Sequence, residues 1–458
     1  MKTFPPSALK TSQQADSTVV GPKSRPVAWN SDGPVNVATF LGHVRGIEAQ
    51  LPSGRYIINL CEDRYRFMVV FYACALAGKI TLLPQTRTPA ALDQVDTLYP
   101  GSFCVADSFA DAADHRPRWT VPDPLPTADG PWPQLDDASV VAIGFTSGST
   151  GLSTAHAKTW QDLRICSTLD YQTLQKLWLL DRSPSIVATV PPQHMYGMEM
   201  SVLVPIVTQS AVHAARPFYP QDIAQSLAEV PEPRILVTTP IHLRVLVESR
   251  CSLPSLAGIV SATAALSADL AKEAQHRLSA PVCEFFGATE TLVCAWRQPV
   301  QDCFWTRMPG VRLVAQQVST TVYRSHLPAA VELADYIALQ DDGRFQLCGR
   351  ASDLLEVAGK RASLADLTQR LLAIPGVSDG VIVQMPSSNQ RNVCRLAAIV
   401  VAPGLEEESI MRTLRGQVDP VFLPRRIRFV DVLPRSPIGK IRQSMLMALL
   451  QDQSVPGG

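Results

Sequence analysis

Phe145-Thr146-Ser147-Gly148-Ser149-Thr150-Gly151 is the stretch from which both fold and chemistry are read. It follows the apolar run Val140-Val141-Ala142-Ile143, so a strand is expected to end in a loop of hydroxyls and glycines. That combination suits a polyphosphate. Glycines let backbone N–H groups approach phosphate oxygens closely, and Ser or Thr hydroxyls add donors or reach a bound metal ion. The Walker pattern is excluded, because its Gly-Lys-Ser/Thr ending is absent. The competing reading is a polar surface loop.

Outward from the loop, apolar strands alternate with helical stretches. Arg55 to Leu60, Ser185 to Val190 and Arg234 to Thr238 read as strands, and Asp222 to Ala228 as a helix. Such alternation implies parallel α/β layers. Arg116 to Pro133 is proline-rich and reads as a surface connector. Past Gly349-Arg350, strands (Val381 to Val383, Ala397 to Val401) and helices (Leu364 to Leu372, Glu406 to Arg415) suggest a small separate α+β domain. The expected organisation is a loose segment over residues 1–30, a large layered α/β domain over 31–349 and a small C-terminal lid domain over 350–458.

Bulk properties narrow the function classes. A chain of 458 residues exceeds one ordinary core, so two or three domains are expected. Its 46% hydrophobic and 18% charged content fits a well-packed globular protein. The 41 basic and 41 acidic residues cancel, which gives no support for a nucleic-acid or anionic-membrane partner. The 10 cysteines form no Cys-x-x-Cys pair and read as small buried hydrophobes. No apolar h-region follows Met1, and the longest apolar stretch, around Phe67 to Ala77, is too short to span a bilayer. A cytoplasmic protein without membrane insertion is expected.

Three further motifs carry chemistry. Glu284-Phe285-Phe286-Gly287-Ala288-Thr289-Glu290 offers a flat aromatic face for a base beside open backbone. Its Thr and Glu supply oxygen ligands for Mg²⁺. The alternative is an apolar strand followed by a capped helix start at Thr289-Glu290. Asp335 precedes Gly343 and Gly349-Arg350; a carboxylate can accept both ribose hydroxyls, and an arginine can reach ribose or phosphate. A hairpin with a surface Asp explains that pattern equally well. Lys440 follows the Pro- and Gly-bearing run Leu433 to Gly439, where a compact cation suits charge developing on a carboxylate attacking a phosphate. Its rival is a solvated basic tail.

In this order the four motifs resemble those of the adenylate-forming superfamily, over residues 35 to 446. The superfamily includes acyl- and aryl-CoA ligases and peptide-synthetase adenylation domains. The resemblance implies ATP and Mg²⁺ as cofactors. It implies a nucleotide site of Thr146, Ser147, Gly148, Ser149, Thr150, Gly151, Ser261, Ala262, Phe286, Gly287, Ala288, Thr289, Asp335, Arg350 and Lys440. Thr150 and Glu290 would hold the metal, and Lys440 would be the catalytic lysine. The acyl pocket is expected among the His194 loop, Val237 to His242 and Ser261 to Thr263. There His194, Tyr196, Thr238 and Gly287 would meet the substrate, with His194 also placed among the catalytic residues. Tyr196, Phe285 and Trp296 either wall that pocket or are core. Pro191 to Glu199 and Gly349 to Ala365 further resemble the AMP ligases of aryl polyene and xanthomonadin pigment pathways. That implies a hydroxybenzoate-type acid and transfer to an acyl carrier protein. Free coenzyme A as acceptor, and a non-catalytic adenylate-binding protein, are the alternatives.

The sequence departs from the superfamily pattern at three places. Ser153 and Thr154 stand where Pro-Lys usually continues the phosphate loop, and the nearest lysine is Lys158. Lys158 either folds back toward the phosphates or is a surface residue starting a helix. The hinge position is Ser352, with Asp353 beside it, instead of Asp or Lys. Leu333-Ala334-Asp335 replaces Thr-Gly-Asp.

Overall fold

The computed structural model describes residues 18–109, 116–131, 133–147, 153–317, 319–324, 327, 329–350, 353–357, 360–385, 395–436, 439, 441 and 443–451. The chain divides into two compact units. One comprises Met1–Ala262 with Glu273–Val293, the other Thr263–Lys272 with Cys294–Gly458.

The first unit holds two sheets. One has the order (Arg118–Thr120)-(Phe103–Ala106)-(Tyr56–Asn59)-(Ile80–Leu83)-β1-β2, with β1 over Val140–Ser147 and β2 over Ser153–Thr159. β1 runs parallel to Ile80–Leu83, pairing Leu82 with Ile143. It then turns back as an antiparallel hairpin with β2, pairing Gly144 with His156 and Thr146 with Thr154. The apolar β1 residues Val141, Ala142, Ile143 and Phe145 are buried, as expected of a strand covered on both faces. α1 (Trp160–Leu177) starts where β2 ends. Thr159 accepts from the Asp162 N–H and Asp162 accepts from the Thr159 N–H, forming a capping box. Trp160 anchors the helix in the core, edge-on to Tyr72 at 5.7 Å.

The second sheet of this unit contains parallel strands β3 (Ser185–Ala188), β4 (Arg234–Thr238), β5 (Gly258–Ser261) and β6 (Val282–Ala288), neighbours in the order β6-β5-β4-β3. It continues through Ala211–His213 to Pro26–Asn30 and Gly33–Asn36. Between β3 and β4 lies the short helix α2 (Met195–Met198), which runs on into a π-helical turn at Glu199–Leu203. α3 (Pro240–Ser249) follows β4. A strand at Pro26–Asn30 corrects the expectation of a loose segment through residue 30. Ala28 is buried and pairs with Val212 of the sheet, and apolar burial there outweighs the polar composition around it. Residues 1–17 lie outside the described residues.

β7 (Leu292–Arg297) carries the chain into the second unit. There β8 (Asp335–Leu339) and β9 (Phe345–Arg350) form an antiparallel hairpin through the Asp341-Asp342-Gly343 turn. Gly343 has φ +84°, a left-handed conformation that favours glycine. Downstream, Asp379–Met385, Arg395–Val401 and Arg426–Phe429 make one sheet. Its faces pack into two clusters, one around Leu367, Leu371, Ile382 and Ile410, the other around Val383, Ile399 and Leu446. The helices expected at Leu364 to Leu372 and Glu406 to Arg415 are present at Leu364–Leu372 and Glu407–Arg415. Among the described residues no disulfide forms, and no helix is long and apolar enough to cross a membrane.

Candidate active site

The phosphate-loop strand and the Thr-Glu turn, distant in sequence, meet inside the first unit. Gly144 of β1 makes room for them. A Cβ there would come within 2.5 Å of Thr289 Cγ2 and 3.0 Å of Met195 Cε. Next to this contact, Thr146 Oγ1 lies 2.8 Å from His156 Nε2 of β2. The same Nε2 is 3.7 Å from Glu290 Oε1. One imidazole therefore stands between the hydroxyl that opens the phosphate loop and the carboxylate expected to hold the metal. Burial lowers the His156 pKa; the Glu290 carboxylate raises it and Lys158 lowers it further.

Lys158 is not a surface residue starting a helix, and the loop residues 148–152 toward which the other alternative would send it lie outside the described residues. Its side chain is 2% exposed, and Nζ donates to the Glu290 backbone carbonyl at 2.7 Å. Burial lowers its pKa, opposed by the Asp162 and Glu199 carboxylates.

The Thr-Glu segment is a turn between β6 and β7 and not a helix start. Thr291 N donates to Ala288 O at 3.1 Å, while the Thr291 hydroxyl accepts from Ala288 N and donates to Leu292 O. These bonds satisfy the backbone groups that a helix would otherwise pair. Gly287 is required by close approach. A Cβ would meet Leu292 O at 2.2 Å and Val293 Cα at 2.8 Å. Phe286 is half-buried and Gly287 exposed, so the end of β6 leaves part of an aromatic side chain and open backbone accessible.

The expected acyl-pocket residues of this unit lie at the C-terminal ends of parallel strands, where ligands of open α/β sheets bind. Thr238 of β4 pairs in register with Ser261 of β5, and Ser261 with Glu284 of β6. Thr238 is buried, its Oγ1 3.1 Å from Thr189 Oγ1, which in turn lies 2.8 Å from His242 Nδ1. Burial, reinforced by the Arg216 charge, lowers the His242 pKa to about 4. The Ser261 hydroxyl is buried without a hydrogen-bond partner among the described residues. His194 occupies the N-cap position of α2 without a side-chain capping bond and is half-buried. Tyr196 and Phe285 are core residues, and the Tyr196 hydroxyl donates to Val260 O at 2.9 Å. Ala262 is buried beside Ser261.

In the second unit, Asp335 and Arg350 face each other as register partners of β8 and β9. Arg350 Nε lies 3.0 Å from Asp335 Oδ1, with the aspartate side chain 17% and the arginine 54% exposed. The spacing read as a hairpin bearing a surface Asp, or as a ribose clamp, is thus a hairpin whose two marked residues are paired. Gly148, Ser149, Thr150, Gly151, Ser352 and Lys440 lie outside the described residues, as does the Ser147 side chain; Asp353 is half-buried.

His156 was not singled out by sequence reasoning. The available signal was period-two alternation: His156 and Lys158 share one face of β2 and both reach Glu290. A metal-binding cluster of three or more His, Cys, Asp or Glu is absent among the described residues. That is compatible with Mg²⁺, which is usually bound through one or two carboxylates, substrate phosphates and waters. The exposed part of the Glu290 carboxylate fits such a site.

A family model described as AMP-binding enzyme matches residues 45–318. The 3-hydroxybenzoate--CoA/4-hydroxybenzoate--CoA ligase of Thauera aromatica is 25% identical over 267 residues, covering 48% of this chain and 50% of that protein. The chain thus spans half the length of that relative. The 4-coumarate--CoA ligase of Halorhodospira halophila is 27% identical over 323 residues, 67% of this chain and 77% of the relative. Among solved structures, ATP-bound MatB from Rhodopseudomonas palustris has a TM-score of 0.79 at 18% identity, covering 94% of this chain and 97% of that one, a likeness of fold. The mixed α/β architecture, with a large N-terminal part and a smaller C-terminal one, is that of adenylate-forming enzymes. With the family model spanning more than half its length and the phosphate-loop strand touching the Thr-Glu turn, the chain belongs to the AMP-binding enzyme family.

Proposed function

We propose that the protein activates a small aromatic, hydroxybenzoate-type acid with ATP and transfers it to the phosphopantetheine thiol of an acyl carrier protein, as in aryl polyene or xanthomonadin pigment pathways. The observation that carries the acid-activating reading is the meeting of Thr146, Thr289 and Glu290 around Gly144. It is supported by the Asp335–Arg350 pair at the expected ribose position. In the first half-reaction a substrate carboxylate oxygen attacks the α-phosphorus. The new P–O bond forms as the bond to the bridging oxygen breaks, releasing pyrophosphate. Lys440 would stabilise the charge on the attacking carboxylate and α-phosphate. Thr150 and Glu290 would hold Mg²⁺, which supplies charge neutralisation at the phosphates. The thiolate then attacks the acyl carbonyl, AMP leaves, and the thiol proton is released to solvent. Residues 350–458 are read as the lid, turning about Ser352-Asp353 between the two steps.

Free coenzyme A is the second reading of the acceptor, favoured by the names of the hydroxybenzoate and coumarate relatives. Pyrophosphate release against a panel of carboxylic acids, with and without coenzyme A or holo carrier protein, separates the two. No pyrophosphate with any acid overturns the enzyme reading and leaves a non-catalytic adenylate-binding protein.

A further inference from the structure

We infer that His156 is a positioning residue for the metal–triphosphate site, tying the start of the phosphate loop to the Glu290 carboxylate. The inference rests on the proposed ATP-dependent activity and concerns a residue outside the usual motifs. Its basis is geometric. His156 Nε2 is 2.8 Å from Thr146 Oγ1 and 3.7 Å from Glu290 Oε1. In the tautomer with the proton on Nε2, the ring donates toward the hydroxyl and faces the carboxylate. Two residues on, Lys158 donates to the Glu290 carbonyl at 2.7 Å. β2 thus approaches Glu290 at both ends: Lys158 donates to its main-chain carbonyl, and the His156 ring stands 3.7 Å from its carboxylate.

This arrangement bears on the replacement of Pro-Lys by Ser153-Thr154. A loop that lacks its own fixed lysine depends more on where the metal sits. A carboxylate ligand on a turn has rotamer freedom, which neighbouring groups packed against it restrict before the ligand arrives. The Gly144–His156 register pair fixes the backbone from which the ring projects, and the 2.8 Å contact with Thr146 Oγ1 orients its Nε2 edge.

The test is calorimetric titration of Mg²⁺ with a non-hydrolysable ATP analogue into wild type, His156→Ala and His156→Gln, alongside thermal melting. His156→Gln keeps an amide donor near the same place. The expected result is binding weakened about tenfold to a hundredfold in His156→Ala, the range for loss of outer-shell partners, with His156→Gln recovering much of it. At saturating analogue, the Mg²⁺ concentration giving half-maximal binding should rise in parallel. Unchanged binding in a folded His156→Ala, or an equal loss in both variants, overturns the positioning role. Should His156→Ala fail to fold, the Mg²⁺ dependence of folded His156→Gln decides: a change of less than twofold from wild type supports rescue by the amide donor, and a tenfold loss overturns it. Wild type that does not bind the analogue sinks the ATP reading, and the inference with it. Wild type that binds it but releases no pyrophosphate with any acid sinks the acid-activating reading alone.

Discussion

Lys158 Nζ donates to the backbone carbonyl of Glu290 at 2.7 Å across 132 residues of sequence, from a side chain that is 2% exposed. The energetics argue that this contact serves position and not stability. A hydrogen bond from a charged donor contributes about 1.5–3 kcal/mol, while desolvating an ion costs several kcal/mol. The lowered pKa of Lys158 expresses the same penalty.

Lys158→Met should therefore separate stability from activity. Methionine keeps most of the buried volume and removes the desolvation cost, so the melting temperature should stay within a few degrees, the scale of about 1 kcal/mol. The Thr-Glu turn loses its tether, and pyrophosphate exchange should fall about tenfold or more, as for an outer-shell ligand partner. Wild-type exchange rates in this variant would show that the tether has no bearing on the site.

The sequence made the strands and helices legible because burial and period agree there. Arg234 to Thr238 is an apolar run and Leu364 to Leu372 an amphipathic one, and the covered faces of both match their pattern. It did not reveal what Lys158 and His156 do. The residue they share, Glu290, lies on a turn more than a hundred residues away, and a basic residue near a strand end carries no mark of whether it faces solvent or a buried carbonyl. The helix start weighed as the alternative at Thr289-Glu290 could not be set aside from the sequence for a related reason. Thr followed by Glu also suits a helix cap, and only the hydrogen bonds of Thr291 to Ala288 and Leu292 decide for a hairpin. At Asp335 the spacing to Arg350 reflected a real pairing, since an antiparallel hairpin brings those residues opposite each other.

Asp335→Ala should remove discrimination at the ribose. If the carboxylate accepts ribose hydroxyls, losing a hydrogen bond to a charged acceptor costs about 1.5–3 kcal/mol, roughly tenfold to a hundredfold in kcat/KM for ATP. With 2′-deoxy-ATP the wild type already lacks a hydroxyl, so the variant should lose less, and the ATP/dATP ratio should approach one. Arg350→Ala leaves the carboxylate in place but removes the guanidinium 3.0 Å away. It should raise KM for ATP while retaining part of the preference. An unchanged ratio in Asp335→Ala would take Asp335 out of the ribose site.

Gly287→Ala should damage the Thr-Glu turn directly. The added carbon would meet backbone atoms, Leu292 O at 2.2 Å and Val293 Cα at 2.8 Å, and backbone cannot rotate away as a flexible side chain does. Overpacking of this kind costs about 1–3 kcal/mol. Denaturant unfolding should show that loss, together with loss of adenylate formation. A variant with wild-type stability and activity would show that the hairpin opens at no cost.

Lys440→Ala should abolish adenylate formation while leaving the protein folded, as the resemblance to the superfamily's C-terminal lysine implies. Single-turnover acyl-adenylate formation and thermal melting check both halves. Adenylate formed at the wild-type rate would remove the assigned role. Thiol attack on a supplied acyl-adenylate, which forms the thioester and releases AMP, should in contrast persist in transfer assays, because the proposed mechanism uses the lysine only in the first half-reaction.

Stability should fall in acid through His242. In the folded chain the imidazole is buried against Thr189 and the Phe218 ring, with the Arg216 charge nearby, and its pKa is lowered from 6.5 to about 4. Between those values the unfolded chain binds more protons than the folded one. Stability is therefore fully present above pH 6.5 and is lost as pH drops toward 4. The loss by pH 5 is of order 2 kcal/mol from this residue alone. Other groups also titrate in acid, so the informative quantity is the difference between wild type and His242→Gln. Glutamine keeps a polar group toward Thr189 but takes up no proton. Denaturant unfolding at pH 7 and pH 5 should show a smaller drop for the variant than for wild type. Equal drops in the two proteins would mean that His242 charges without penalty in the fold, and that its pocket is open to water.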